Sequence, residues 1–262
     1  MNTFFLDRLN SEPHALAFAG QSTPWPVTLA DQSANPVLDE ALHTHADAAQ
    51  ALLYPVSADL LATTGRPVDL FGFEPNPARL GAAAAASASV PGIALAQLGA
   101  LLDAAALGYN PAVAKPVAVL GHSQGVLAVH MVQAIVEAGS IEAASAQIDE
   151  ILAIATLIGV AGTRQARQLG LAARHGEATP MLSVKDITRA QVDALIKRVS
   201  GARGPIAVAV TNSATHYVLS GYPEDLAAFG VEVAKEHKHQ AKLREEKVRG
   251  GRVFEPVLDT LT

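Results

Sequence analysis

The chain has no cysteine. That removes disulfides, thiolate nucleophiles and thiolate-bound zinc together. It also fits a reducing compartment, and a cytoplasmic location is the expectation. Charge is scarce as well. Charged residues make up 17% of the 262, and 25 Asp and Glu outnumber 19 Lys and Arg for a net charge of −6. A chain so balanced lacks the basic excess by which nucleic-acid binders hold phosphates, so no nucleic-acid partner is expected. Aromatic residues are 5%, with a single tryptophan, Trp25, which is expected to serve core packing ahead of lining a pocket. Long unbroken apolar runs are missing too. The most apolar stretch, Leu80 to Leu107, is mostly alanine and is interrupted by Pro91, Gln97 and Asp103, which argues against a membrane span. The N-terminal MNTFFLDRLNSEPH is acidic and has no secretory pattern.

Apolar material is plentiful at 50%, and 262 residues suffice for one large domain or one domain carrying an insertion. Ala15 to Gly20 reads as a short buried strand, followed by a polar turn at 21–25. Helical spacing of Leu38, Leu42, Ala46 and Leu53 predicts a helix over 37–62, and another is expected over 93–107, closed by Gly108. Pro116 to Leu120 has the length and continuity of a buried parallel strand. Helices over 126–138, ending at Gly139, and over 141–158 follow. This alternation indicates an α/β core with parallel strands.

The pattern changes near Gly176. A strand at 180–187, a helix at 188–199 capped by Thr188 or Asp186, strands at 206–211 and 217–220, and a helix at 223–234 make most of a split βαβ, or ferredoxin-like, unit. Val253 to Leu261 is the expected closing strand. The boundaries are thus 1–177 for the core and 178–262 for the small subdomain.

Gly121-His122-Ser123-Gln124-Gly125 fits G-x-S-x-G between a predicted strand and a predicted helix. A sharp turn there strains the serine backbone and presents its hydroxyl at the edge of the sheet. The first helix amides, Gln124 N–H among them, would face the same point and stabilise an oxyanion. A serine nucleophile needs a base. The histidines after Ser123 are His130, His175, His216, His237 and His239, and none has a catalytic setting by sequence. His130 is expected to be packed within the helix, and the run around His237 and His239 reads as a solvated helix face. His43 and His45 form an H-x-H without a third ligand, so no metal site is expected.

GHSQG at 121–125, with FAGQS at 18–22 and TNSATHYVLSG at 211–221, resembles the acyl-CoA:acyl-carrier-protein transferases, in particular the acetyltransferase domain at the N-terminus of bacterial type I fatty acid synthases. The resemblance covers essentially the whole chain. It implies an α/β-hydrolase-like parallel-sheet core with an inserted ferredoxin-like small subdomain. It implies that Ser123 is the nucleophile, that Gln21 and Gln124 supply the oxyanion amides, and that His122, Ile158 and Asn212 border the substrate pocket. A turn asparagine is the other reading of Asn212. The substrate would be acetyl-CoA and the acceptor the phosphopantetheine thiol of an acyl carrier protein, with other synthase domains as partners and no bound cofactor.

Three departures from the family pattern matter. The usual GQG is GlyGlnSer here, with Ser22 third. Malonyl-selective members carry an arginine about two dozen residues past the serine, whereas no arginine occurs from Ser123 to Thr163 and Ile158 precedes Gly159. An apolar wall would leave a malonyl carboxylate unpaired, which favours a neutral acyl group, although Arg164 and Arg167 follow closely. Finally, the family's base histidine follows the strand that closes the small subdomain, and this sequence stops at Thr262. The expectation is therefore a C-terminally truncated piece of a multidomain protein with its base beyond Thr262. A serine esterase or thioesterase, a malonyl- or palmitoyl-accepting transacylase, and a non-catalytic docking module are the competing readings.

Overall fold

The computed structural model describes residues 8–20, 24–64, 86–168, 181–199 and 204–249. It divides into two compact units, Met1–His175 and Gly176–Thr262. Among the described residues the fold is mixed α/β with one parallel strand pair. The predicted closing strand, 253–261, lies outside the described residues.

In the first unit, β1 (Ala15–Phe18) leads to α1 (Trp25–Ser33), α2 (Pro36–Thr64), α3 (Ala86–Ala106), a single turn α4 (Pro111–Ala114), β2 (Ala118–Gly121), α5 (Val126–Ala138) and α6 (Ser145–Gln168). The strands pair in parallel, from Ala15 opposite Ala118 to Phe18 opposite Gly121. Among the described residues this unit is mostly helix, more than the alternation of strand and helix led us to expect. The turn predicted at 21–25 gives way at Trp25 to α1. Prolines 24 and 26 signal a turn, yet proline at a helix start loses no needed hydrogen bond and presets the backbone.

Helix α3 is the centre of this unit. Every residue from Ser87 to Gly99 is buried, an uninterrupted run that an amphipathic pattern cannot reveal. It begins earlier than predicted because Pro91 lies inside it. Ser87–Ala106 and Ser145–Gln165 are long and apolar enough to cross a membrane by composition, but α3 spends its apolar surface on Ile93, Leu95 and Leu98, all fully buried in this core. Trp25 is 3% exposed, and a Cβ on Gly92 would lie 2.5 Å from its Cδ2. The indole therefore lies flat against the α3 backbone, which is the core-packing role. Helix α6 starts at Ser145 rather than 141, since residues 141–144 form a turn, and runs on to Gln168. His45 on α2 is nine-tenths buried and holds Asp149 of α6 at 2.6 Å, while His43 faces Asp39 at 3.5 Å. The H-x-H pair thus splits between a carboxylate on another helix and one on its own.

The foot of β1 is fixed by another histidine. His14 Nδ1 lies 3.0 Å from the Glu12 carbonyl oxygen, which can only accept, so Nδ1 carries the proton. His14 Nε2 then accepts from the Tyr109 hydroxyl at 2.8 Å, and the rings meet edge to face at 5.6 Å. Burial raises the Tyr109 pKa above its ordinary value. The folded state therefore keeps this proton at pH values where the unfolded chain has released it. The stability this contributes is full below the ordinary phenol value, roughly pH 10, and is lost as pH rises through the raised folded value. Thermal melts of the wild type are expected to fall more steeply above that pH than those of Tyr109→Phe. Parallel pH profiles would show that the phenol is not the group responsible.

The second unit runs β3 (Met181–Lys185), α7 (Arg189–Val199), β4 (Ala207–Ser213), β5 (His216–Ser220) and α8 (Pro223–Arg249). Strand β5 lies between β3 and β4 and is antiparallel to both, so β3 and β4 form a split βαβ with β5 inserted. Tyr217 and Leu219 on one face of β5 pack with Val192, Leu195, Leu226 and Phe229 from the two helices. Thr188 caps α7. Its hydroxyl accepts from Gln191 N at 3.4 Å, and Gln191 Oε1 accepts from Thr188 N at 2.9 Å, a reciprocal capping box. Asp186, the other proposed cap, instead takes a left-handed φ of 56° before it. Helix α8 runs well beyond the predicted end at 234, and His237 and His239 are exposed on it.

Candidate active site

Strand β2 ends at Gly121, His122 remains extended, and Ser123–Gly125 form a tight 3-10 turn that feeds α5. His122 N donates to the Phe18 carbonyl at 3.0 Å and Gly125 N to the His122 carbonyl at 2.9 Å. The turn is thus pinned to the end of β1 on one side and folded on itself on the other. Ser123 takes the strain. Its φ is +55°, a left-handed value that a residue with a Cβ adopts at a cost of roughly 1–3 kcal/mol.

Three glycines make the turn possible by letting backbone pack on backbone. A Cβ on Gly121 would lie 2.6 Å from Gly125 C and Val126 N. One on Gly125 would overlap the Phe18 carbonyl oxygen and sit 2.9 Å from that of Ala19. One on Gly20 would be 2.7 Å from the His122 carbonyl oxygen, 2.8 Å from Ser123 Cβ and 3.4 Å from Gln124 N. The exit of β1 therefore presses directly on the serine turn. A G-x-S-x-G match alone gives no reason for Gly20, and the structure supplies it.

The Ser123 side chain is exposed, and among the described residues nothing hydrogen-bonds its hydroxyl. It stands at the start of α5, where unpaired helix amides and the helix dipole favour developing negative charge. Gln124 is half-buried, and its Oε1 is buried without a hydrogen-bond partner among the described residues. This arrangement suits attack by a hydroxyl on a carbonyl carbon, with the resulting oxyanion over the helix start. Gln21 lies outside the described residues.

His122 is exposed beside Ser123, and Ile158 is 52% exposed on α6. His130, expected to be packed, is exposed on α5, because the helix buries Leu127, Ala128, Met131, Val132 and Ile135 instead. Asn212 belongs to the second unit. It is not in a turn but in β4, where the register with β5 shifts between Thr211 and Ser213. It approaches His216 Nε2 at 3.4 Å, and Ser183 Oγ lies 3.0 Å from the same nitrogen. Gln97 was legible only as an interruption of an apolar stretch. In the structure it donates to the Ala19 carbonyl at 2.6 Å, beside the serine turn. A long polar residue in an Ala- and Leu-rich helix is the signal that marks it.

No curated protein matches the chain. Among solved structures it is similar to the acyl-carrier-protein-S-malonyltransferase of Bartonella henselae, at 18% identity and TM-score 0.45, over 86% of this chain and 60% of that one. It is similar also to the malonyl CoA-acyl carrier protein transacylase of Coxiella burnetii, at 17% identity and TM-score 0.48, over 86% and 58%. The chain thus spans about three fifths of the length of each. Residues 180–260 match the family model described as the fatty acid synthase central AT domain.

Proposed function

We propose that this chain is the acyl-transferring part of a fatty acid synthase, with Ser123 as its nucleophile. The observation that carries the reading is the strained, exposed serine at φ +55°, seated between β2 and α5 and packed against the end of β1. The match over 180–260 supplies the reaction class. Ser123 Oγ attacks the thioester carbonyl of an acyl-CoA and gives up its proton to a base. The carbon–sulfur bond breaks, the thiol of CoA leaves with a proton, and an acyl-serine remains. The pantetheine thiol of a carrier protein then attacks that ester, and the serine hydroxyl is restored. Gln124 N–H, with Gln21 N–H, would receive the oxyanion in both steps.

The acyl group in this reading is acetyl. No arginine occurs between Ser123 and Thr163, and Ile158 occupies the stretch where a carboxylate would need a cation. A desolvated malonyl carboxylate without a partner costs several kcal/mol. His122 would contribute to the pocket wall. Intact-mass spectrometry after incubation with acetyl-CoA or malonyl-CoA tests the proposal. We expect an acetyl adduct mapped to the Ser123 peptide and a far weaker malonyl adduct. Equal malonyl loading would overturn the acetyl assignment. An adduct lost to water and never passed to a pantetheine thiol would make the chain a hydrolase instead.

A further inference from the structure

We infer that Gln97 is a positioning residue that holds the backbone at the end of β1 against the Ser123 turn, and so sets the oxyanion site. The inference rests on the reading of Ser123 as nucleophile. Gln97 is the long polar side chain in the buried run of α3, 7% exposed among Ile93, Leu95 and Leu98. Its Nε2 donates to the Ala19 carbonyl at 2.6 Å. The next residue, Gly20, makes the close approach to the His122 carbonyl oxygen, Ser123 Cβ and Gln124 N. One hydrogen bond from α3 therefore fixes the residue immediately before the close approach of Gly20 to the serine turn. The rest of the amide has no matching role. Gln97 Oε1 is buried and unpartnered among the described residues. The accepting capacity of the amide is thus left unmet, and an apolar residue of the same length would fill the space without that cost. What the glutamine adds over such a residue is its hold on Ala19.

Gln32 on α1 provides a matched comparison. Its Nε2 donates to the Ala96 carbonyl at 3.0 Å, and its Oε1 is likewise buried without a partner among the described residues. It makes the same kind of bond within the same core, but to the α3 backbone rather than to the exit of β1 that packs on the Ser123 turn.

The experiment follows the rate at which a fluorophosphonate modifies Ser123 in the full chain, with thermal melting measured on each variant. The phosphonyl oxygen occupies the place of the oxyanion, so the rate reads the site's geometry. Gln97→Met is expected to slow labelling of folded protein by roughly ten- to a hundred-fold, because small displacements of an oxyanion site cost rate steeply. Gln32→Met is expected to label at the wild-type rate. Gln97→Glu can donate to Ala19 only when protonated, so its rate relative to wild type should recover as the pH falls. Wild-type labelling in Gln97→Met, or equal slowing in both Met variants, overturns the positioning role and leaves the nucleophile standing. If Gln97→Met fails to fold, Gln97→Glu decides, and the absence of a pH-linked recovery overturns the role. A wild-type chain that never labels at Ser123 sinks the nucleophile itself, and the positioning role with it.

Discussion

Replacing Ser123 with glycine is expected to abolish the acyl adduct and to raise the melting temperature. The two effects have one cause. Ser123 holds φ at +55°, and this costs a residue with a side chain roughly 1–3 kcal/mol. Glycine adopts the angle freely, although its looser unfolded chain returns up to about 1 kcal/mol of the gain. A net rise of about 1 kcal/mol corresponds to roughly 2–4 °C for a protein of this size. Ser123→Ala separates the contributions, since it keeps the strain and loses only the hydroxyl. It should give no adduct and melt close to the wild type. Intact mass and differential scanning calorimetry on the three proteins read both quantities. An adduct of the same mass on either variant would remove Ser123 as the nucleophile. A glycine variant melting below the alanine variant would show that the turn stores no strain.

The largest loss of stability is expected from Gly125→Val. Gly125 is buried, with ordinary helical angles of −58° and −16°, so a side chain there meets no conformational objection. The objection is spatial. An added Cβ would overlap the Phe18 carbonyl oxygen, and that oxygen also accepts from His122 N. Main chain cannot swing aside as a flexible side chain can, so β1 and the turn must separate. Overpacking of this kind costs about 1–3 kcal/mol where the surroundings can give, and more where they cannot. Gly139 is the opposite case. It ends α5 at φ +92° with nothing within 4 Å of an added Cβ. Gly139→Ala should therefore carry only the conformational penalty of about 1 kcal/mol or slightly more. Urea denaturation of Gly125→Ala, Gly125→Val and Gly139→Ala gives the ordering. If Gly125→Ala proves as mild as Gly139→Ala, the close approach of β1 to the turn is not real.

The serine turn was legible because its determinants are local. A short apolar run, two glycines and an apolar helix with a glycine end specify β2, the turn and α5 within two dozen residues. The second unit was legible for a similar reason, since its strands and helices have clean periods and Thr188 with Gln191 writes out a capping box. Helix α3 was cut short because it is buried all round. Neither period nor polarity marks its first turns, and Pro91 mimics a boundary. Helix α1 was missed because Pro24 and Pro26 carry the same signal in a turn and at a helix start. The contacts of Gln97 with Ala19 and of His45 with Asp149 span 78 and 104 residues, and no local pattern encodes partners so distant. His130 was misjudged by direction alone. Its neighbours Met131 and Val132 take the inward positions on α5.

The lone tryptophan has a practical consequence. Trp25 is sealed against the α3 backbone beside Gly92, and it is the sole indole in the chain. Its fluorescence should be blue-shifted in the native protein and should move to the red when α1 leaves α3. The other unit contributes no indole emission at all, while its two helices contribute fully to far-ultraviolet circular dichroism. Recording both signals along one denaturation curve would therefore time the opening of the serine-bearing half separately from the loss of helix in the chain as a whole.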